Sequence, residues 1–178
     1  MRSGERLNLD KFGLIWLNYQ SFTIERKFHM ADQKLVDMIK RSVEEFNAWQ
    51  DDRRMENPNA KTDLSKADFS LCKLDGIDFF GANLEDAKLQ GASLRSANLV
   101  GGSLFGANLM DADLTNAKFG TVCVSGADFT DANLTGVELR ATEGLESACF
   151  SGATVEPKAQ KVILAAVAES MRDPGPKK

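Results

Sequence analysis

The sequence predicts an all-β solenoid, a chain that turns a right angle every five residues, with an α-helix before it and another after it. Three observations carry this. From Thr62 to Ala141 the chain divides into sixteen consecutive units of five residues without slippage. The third residue of each unit is Leu eleven times, Phe four times and Val once, at Val124. The first is Ala ten times, the exceptions being Thr62, Cys72, Ile77, Gly102, Val122 and Val137. An α-helix would carry these leucines around all its sides, and a flat strand would alternate their faces. A corner every five residues turns the large third side chain and the small first one inward. The other three positions then face water and can be polar.

After Ala141 the frame slips by one residue and resumes with Leu145, Phe150 and Val155 as centres, for nineteen units in all. Units such as Ala97-Asn98-Leu99-Val100-Gly101 and Ala112-Asp113-Leu114-Thr115-Asn116 resemble the A(D/N)LXX motif of the pentapeptide-repeat family. The resemblance runs from Thr62 to Val155. It implies a right-handed quadrilateral β-helix with four units per coil, hence roughly 20 residues per coil and about five coils. At ~4.8 Å per rung the rod is ~23 Å long. Stacking is obligatory. Each buried Leu or Phe contributes roughly 1.5–3 kcal/mol, while ordering a residue costs roughly 1–2 kcal/mol of backbone entropy. One coil cannot offset its own ordering, so stability accumulates between neighbours.

The open ends of such a rod need covers. Upstream, Asp32 is placed to cap a helix running to about Met55, with Leu35, Ile39, Val43, Phe46 and Trp49 on one stripe. Asn57-Pro58 ends it. Downstream, Pro157 suits a first helical position. Lys158 to Arg172 follows, with Val162, Ile163, Ala166, Val167 and Met171 as an apolar face. Each helix reads as a cap, and either can also meet a partner or a second copy. The expected division is a leader over 1–30, a capping helix over 31–57, the β-helix over 58–157, a helix over 158–172 and a disordered tail over 173–178. Residues 1–29 show neither repeat nor clean periodicity. Met30 directly before the first helix is an alternative start, in which case His29 is not part of the protein.

Composition narrows the chemistry. The chain has 178 residues, 43% apolar and 27% charged, with net charge −4. That suits a soluble globular protein and not a generic nucleic-acid binder. One histidine, His29, leaves little room for His-dependent catalysis or zinc binding. The three cysteines, Cys72, Cys123 and Cys149, form no C-x-x-C pair, so a zinc ribbon and a thioredoxin-type site are excluded. Cys72 reads as core, Cys123 and Cys149 as outward thiols without an activating neighbour. Gly101 and Gly106 have phosphate-loop spacing, but Ala107-Asn108 stands where Lys-Ser or Lys-Thr is required. The acidic second positions Asp63, Asp68, Asp78, Asp113, Asp128 and Glu138 read as solvated surface on a convex rod. No apolar run reaches membrane-spanning length and no signal peptide is evident, so a cytoplasmic protein without a membrane partner is expected. No cofactor or metal is expected.

Three functional readings follow. An enzyme is disfavoured by the missing histidines and cleft. Some pentapeptide-repeat proteins mimic duplex DNA and engage DNA gyrase, conferring quinolone tolerance; the resemblance makes that the alternative here. Residues 62–155 hold thirteen acidic and six basic side chains. A rod of ~23 Å would match about fourteen phosphates, so it carries about half the charge. The columns Asp68, Lys88, Asn108, Asp128 and Asp78, Asn98, Lys118, Glu138 are mixed in sign. The leading reading is a rigid protein–protein interaction module of unknown partner, self-contact included. Its candidate patch is Phe80 and Val100 on successive coils, with Phe105 on the next side and Met110 after that.

Overall fold

The computed structural model describes residues 32–171. The leader, the Met30 start and the tail lie outside the described residues.

Parallel bridges join Asp63 to Asn83, Asp68 to Lys88, Lys73 to Ser93 and Asp78 to Asn98, and the pattern continues down the chain. One circuit therefore takes 20 residues and four units. Each side is a single bridge long, at the second residue of its unit, because corners consume the remaining positions. The third-position Leu and Phe from Leu64 to Leu139 are buried, with the first-position alanines between them. The aromatic rings gather towards the two ends. Phe69 lies 6.0 Å from Phe79, Phe119 lies 6.1 Å from Phe129, and Phe129 stacks on Phe150 at 5.1 Å.

Each corner closes when the next unit's first N–H donates to the third residue's carbonyl, as from Ala87 to Leu84 at 3.1 Å. The fifth residue takes a positive φ in fourteen of the sixteen units, all but those ending at Thr121 and Ala141, as a type II turn demands, even at Asp86 (φ 56) and Asn116 (φ 59). The second-position side chain completes the corner. Asp63 accepts from the Ser65 N–H, Asp68 from Ser70 and Asn133 from Thr135, each at 3.1 Å. The frequent Asp and Asn at this position thus hold turns, a role beyond the solvated surface expected of them.

The frame slip is resolved at one residue. Glu143 still pairs 20 residues back with Cys123, whereas Cys149 and Thr154 pair 21 back, with Asp128 and Asn133. Gly144 stands where a core residue is due, with φ +80, and Leu145 fills the core in its place. A Cβ on Gly144 would lie 2.7 Å from the Ser125 backbone.

Two helices precede the rod where one was expected: α1 (Gln33–Arg41) and α2 (Val43–Glu56). Ser42 breaks them. Its backbone is extended, its N–H donates to Met38 O at 2.9 Å, and its hydroxyl accepts from the Glu45 N–H at 3.1 Å. One residue ends the first helix and caps the second. Leu35, Val36, Ile39 and Phe46 are buried, and Phe46 meets Phe79 edge-on at 5.8 Å. Asn47 supplies what a preceding coil would. Its amide donates to Gly76 O at 3.0 Å and accepts from the Asp78 N–H at 2.8 Å. Gln50 donates to Asp78 O at 3.3 Å. Side chains thus pair the backbone groups of the Gly76–Asp78 side of the first rung.

After the repeats comes α3 (Pro157–Ser170), with proline at its start as expected. Ala159 is its buried residue, and Val162, Ile163 and Ala166 pack partly against the core. Met171, expected on the apolar face, is exposed, as is Leu164.

Candidate functional site

Fourth residues stack into one column per corner. Phe80, Val100, Gly120 and Arg140 share the first. Phe105 belongs to the next, below Glu85, and Met110 to the one after, below Gln90. The structure therefore brings Phe80 and Val100 together. It leaves Phe105 one corner away and Met110 at the corner diagonally opposite Phe80, so the expected patch is a band around the rod and not one flat surface. Phe80 is 44% exposed, with the Arg54 guanidinium 5.6 Å from its ring centroid. Arg54 is itself held by Asp51 and Asp78, each at 2.5 Å. Val100 is half-buried because it lies over Gly120, where a Cβ would come within 2.9 Å of its methyl. Phe105 is 52% exposed, and Met110 is half-buried.

Leu71, 80% exposed, belongs to this band and was missed in the sequence. It is the fifth residue of its unit and holds φ 60, a conformation taken at the other fifth positions by Gly, Asp, Asn, Ser or Lys. A leucine there was the available signal. Its side chain lies over Gly91, within 2.7 Å of where a Cβ would be.

Two ion pairs join charged residues of neighbouring coils. Lys88 pairs with Asp68 at 3.5 Å and Arg95 with Asp113 at 3.3 Å. The Thr130 hydroxyl and N–H hold the Asp128 carboxyl below the usual range, and the Ser70 N–H does the same for Asp68. Burial raises the Cys72 thiol. Cys72 and Cys123 are half-buried and Cys149 is exposed, all three as free thiols. Among the described residues no cluster of His, Cys, Asp and Glu is arranged to hold a metal, and no helix is long and apolar enough to cross a membrane.

The repeat frame, the circuit of four units and a match to the family model "Pentapeptide repeats" over residues 77–116 and 107–155 decide the kinship. The chain belongs to the pentapeptide-repeat family. Membership implies a right-handed quadrilateral β-helix, in keeping with the four-sided circuit. A pentapeptide repeat protein from the Arabidopsis thaliana thylakoid lumen is 32% identical over 58% of this chain and 74% of that one, with a TM-score of 0.44. The pentapeptide repeat protein Rfr23 of the cyanobacterium Cyanothece 51142 is 26% identical over 56% of this chain, with a TM-score of 0.45. This chain spans 65% of its length. QnrB1, a plasmid-mediated fluoroquinolone resistance protein, is 17% identical over 59% of this chain and 65% of that one, with a TM-score of 0.30. No curated protein matches.

Proposed function

We propose that this pentapeptide-repeat protein is a non-enzymatic interaction module: a rigid β-helix of about five coils, closed by α2 at one end and α3 at the other, that binds a protein partner through its corners. One observation carries the reading. Large apolar side chains, Phe105 foremost, stand half-exposed or more at outward turn positions where neighbouring units place Ser, Thr or Gln. A corner side chain stands outside the core, so the exposed part of a ring there is explained by what it touches outside. The exposed Leu164 of α3 and Met171 at its C-cap extend the same argument to a second copy of the chain. In an antiparallel pairing of two such helices centred at residue 165, Lys161 faces the copy's Glu169, which favours that register. The free cysteines suit a reducing, cytoplasmic setting.

DNA mimicry is the weaker reading. A mimic needs continuous tracks of negative charge, and here Lys88 and Arg95 interrupt the columns with ion pairs. The test is a photo-crosslinking residue at position 105, compared with one at position 73 on another side. Position 105 is expected to give a defined adduct, with a protein partner or a second copy, that position 73 does not. Equal, diffuse labelling from both positions would refute the reading.

A further inference from the structure

The ladder has one missing rung. Every second-position residue from Asp63 to Asn133 is bridged to its counterpart one circuit on, except Lys118. Among the described residues no backbone hydrogen bond joins unit 117–121 to unit 137–141. The adjoining sides are intact: Asn116 N–H donates to Thr135 O and Val124 N–H to Glu143 O, each at 2.8 Å. The gap is therefore confined to one side, where the circuit above also lacks its Gly101 N–H to Gly120 O bond but keeps the bonds of Leu99 and Lys118. A cavity of about 300 Å³ occupies it, lined by Lys118, Phe119 and Gly120 above and by Glu138, Arg140 and Ala141 below.

The opening coincides with a break in the turn pattern. Neither Lys118 nor Glu138 is the Asp or Asn that holds many other corners, a lack that alone leaves the ladder intact at Lys73–Ser93 and Ser103–Cys123. Gly120 takes its positive φ (45) at the fourth residue of the unit, one earlier than the regular corners, and the facing unit 137–141 has no positive φ. The backbone groups left over can be named from the pattern of the other sides. The N–H groups of Phe119, Thr121 and Glu138 and the carbonyls of Ala117, Glu138 and Arg140 have no backbone partner among the described residues.

We propose that this gap receives an extended segment of a partner protein, paired main chain to main chain with both coils, with an acidic side chain between Lys118 and Arg140. Donors and acceptors stand on both walls, which is the complement of an extended chain. A lone phosphate or carboxylate would leave three carbonyls unpaired, and an apolar ligand would leave all six groups so. Lys118 and Arg140 make no ion pair among the described residues, and Glu138 offsets only one of them. A carboxylate from the partner completes the balance. The rest of the rod has sides one bridge long, so two or three residues of partner chain, ~7–10 Å of strand, suffice. This rests on the interaction reading above and names the partner's binding element.

The experiment is amide hydrogen exchange on the full chain, alone and with the capped peptide Val-Thr-Glu-Val-Thr. In the free protein the amides of Phe119, Thr121 and Glu138 should exchange at least about 100-fold faster than those of Leu99 and Val124. Equal protection would mean a closed ladder and overturn the proposal. The peptide should slow the three amides at least about tenfold. The same peptide with Lys for Glu, or with Pro at its centre, should not. The exposed pair K118E and R140E should melt as the wild type does and lose the peptide effect. Protection that is absent with the Glu peptide, equal with the Lys peptide, or retained in K118E/R140E overturns the proposal. The F80S/F105S protein separates this from the corner reading: with both corner rings removed it should keep the peptide effect, whether or not position 105 gives a crosslinked adduct.

Discussion

Replacing Phe80 by Ser measures how far the chain itself covers the corner patch. The ring is 44% exposed, so slightly more than half of it is out of water. Full burial of a phenylalanine is worth ~1.5–3 kcal/mol, which scales to about 1–1.5 kcal/mol here. The Arg54 guanidinium at 5.6 Å adds about 0.5–1 kcal/mol as a cation–π contact. F80S should therefore cost ~1.5–2.5 kcal/mol. Phe105, 52% exposed and without a ring or guanidinium contact among the described residues, should cost only about 1 kcal/mol as F105S. Urea unfolding of wild type, F80S, R54M and the double variant closes a cycle that isolates the pair. R54M alone also strips Asp78 of its cation, and the cycle removes that contribution. A coupling of ~0.5–1 kcal/mol is expected. A coupling near zero, or an F80S loss no larger than that of F105S, would show a free ring and refute the covering role of α2.

Gly144→Ala should destabilise by at least ~2 kcal/mol more than Gly81→Ala in urea melts. Both have positive φ, but a Cβ at 144 meets the Ser125 backbone at 2.7 Å, while at 81 nothing lies within 4 Å. The Asp68 and Asp128 carboxyls are depressed in the folded state by their corner hydrogen bonds. The stability they contribute is full above the unfolded value of about 3.9 and is lost as pH falls through the folded values. Melting temperature should thus drop below about pH 4, and T130V, which removes the hydroxyl from Asp128, should soften that drop. In a supercoiling assay the purified protein at micromolar concentration should neither inhibit DNA gyrase nor rescue it from a quinolone; inhibition would put DNA mimicry ahead of the corner reading.

The rod was legible because one rule repeats: Leu, Phe or Val at the third residue and a small residue at the first is a pattern that only corners at every fifth residue satisfy. The break at Ser42 was legible in principle. Ser42-Val43-Glu44-Glu45 is half a capping box, but the stripe from Leu35 to Trp49 runs through it and concealed the kink. Asp and Asn at second positions were seen, yet their turn-holding role depends on a fourth-residue N–H whose direction composition does not encode. The corner residues Phe80, Val100, Phe105 and Met110 could be assigned to columns by counting in twenties. Their division among three corners follows from the same count, whereas the Arg54 cover depends on the tertiary placement of α2. The missing rung left only a faint trace, Gly120 one residue early, because backbone pairing is a property of two coils at once.

A stacked solenoid behaves as a one-dimensional array in which every boundary between neighbours contributes its own share of cooperativity. Where Lys118 and Glu138 fail to pair, one boundary is held on three sides and not four. Strain, heat or a pull on the C-terminus will concentrate there. The segment from Val137 through α3 is then a separable flap, able to peel while the array above it stays wound. The Phe69, Phe79 and Phe46 rings, at the far end from this boundary, mark the half that lets go last.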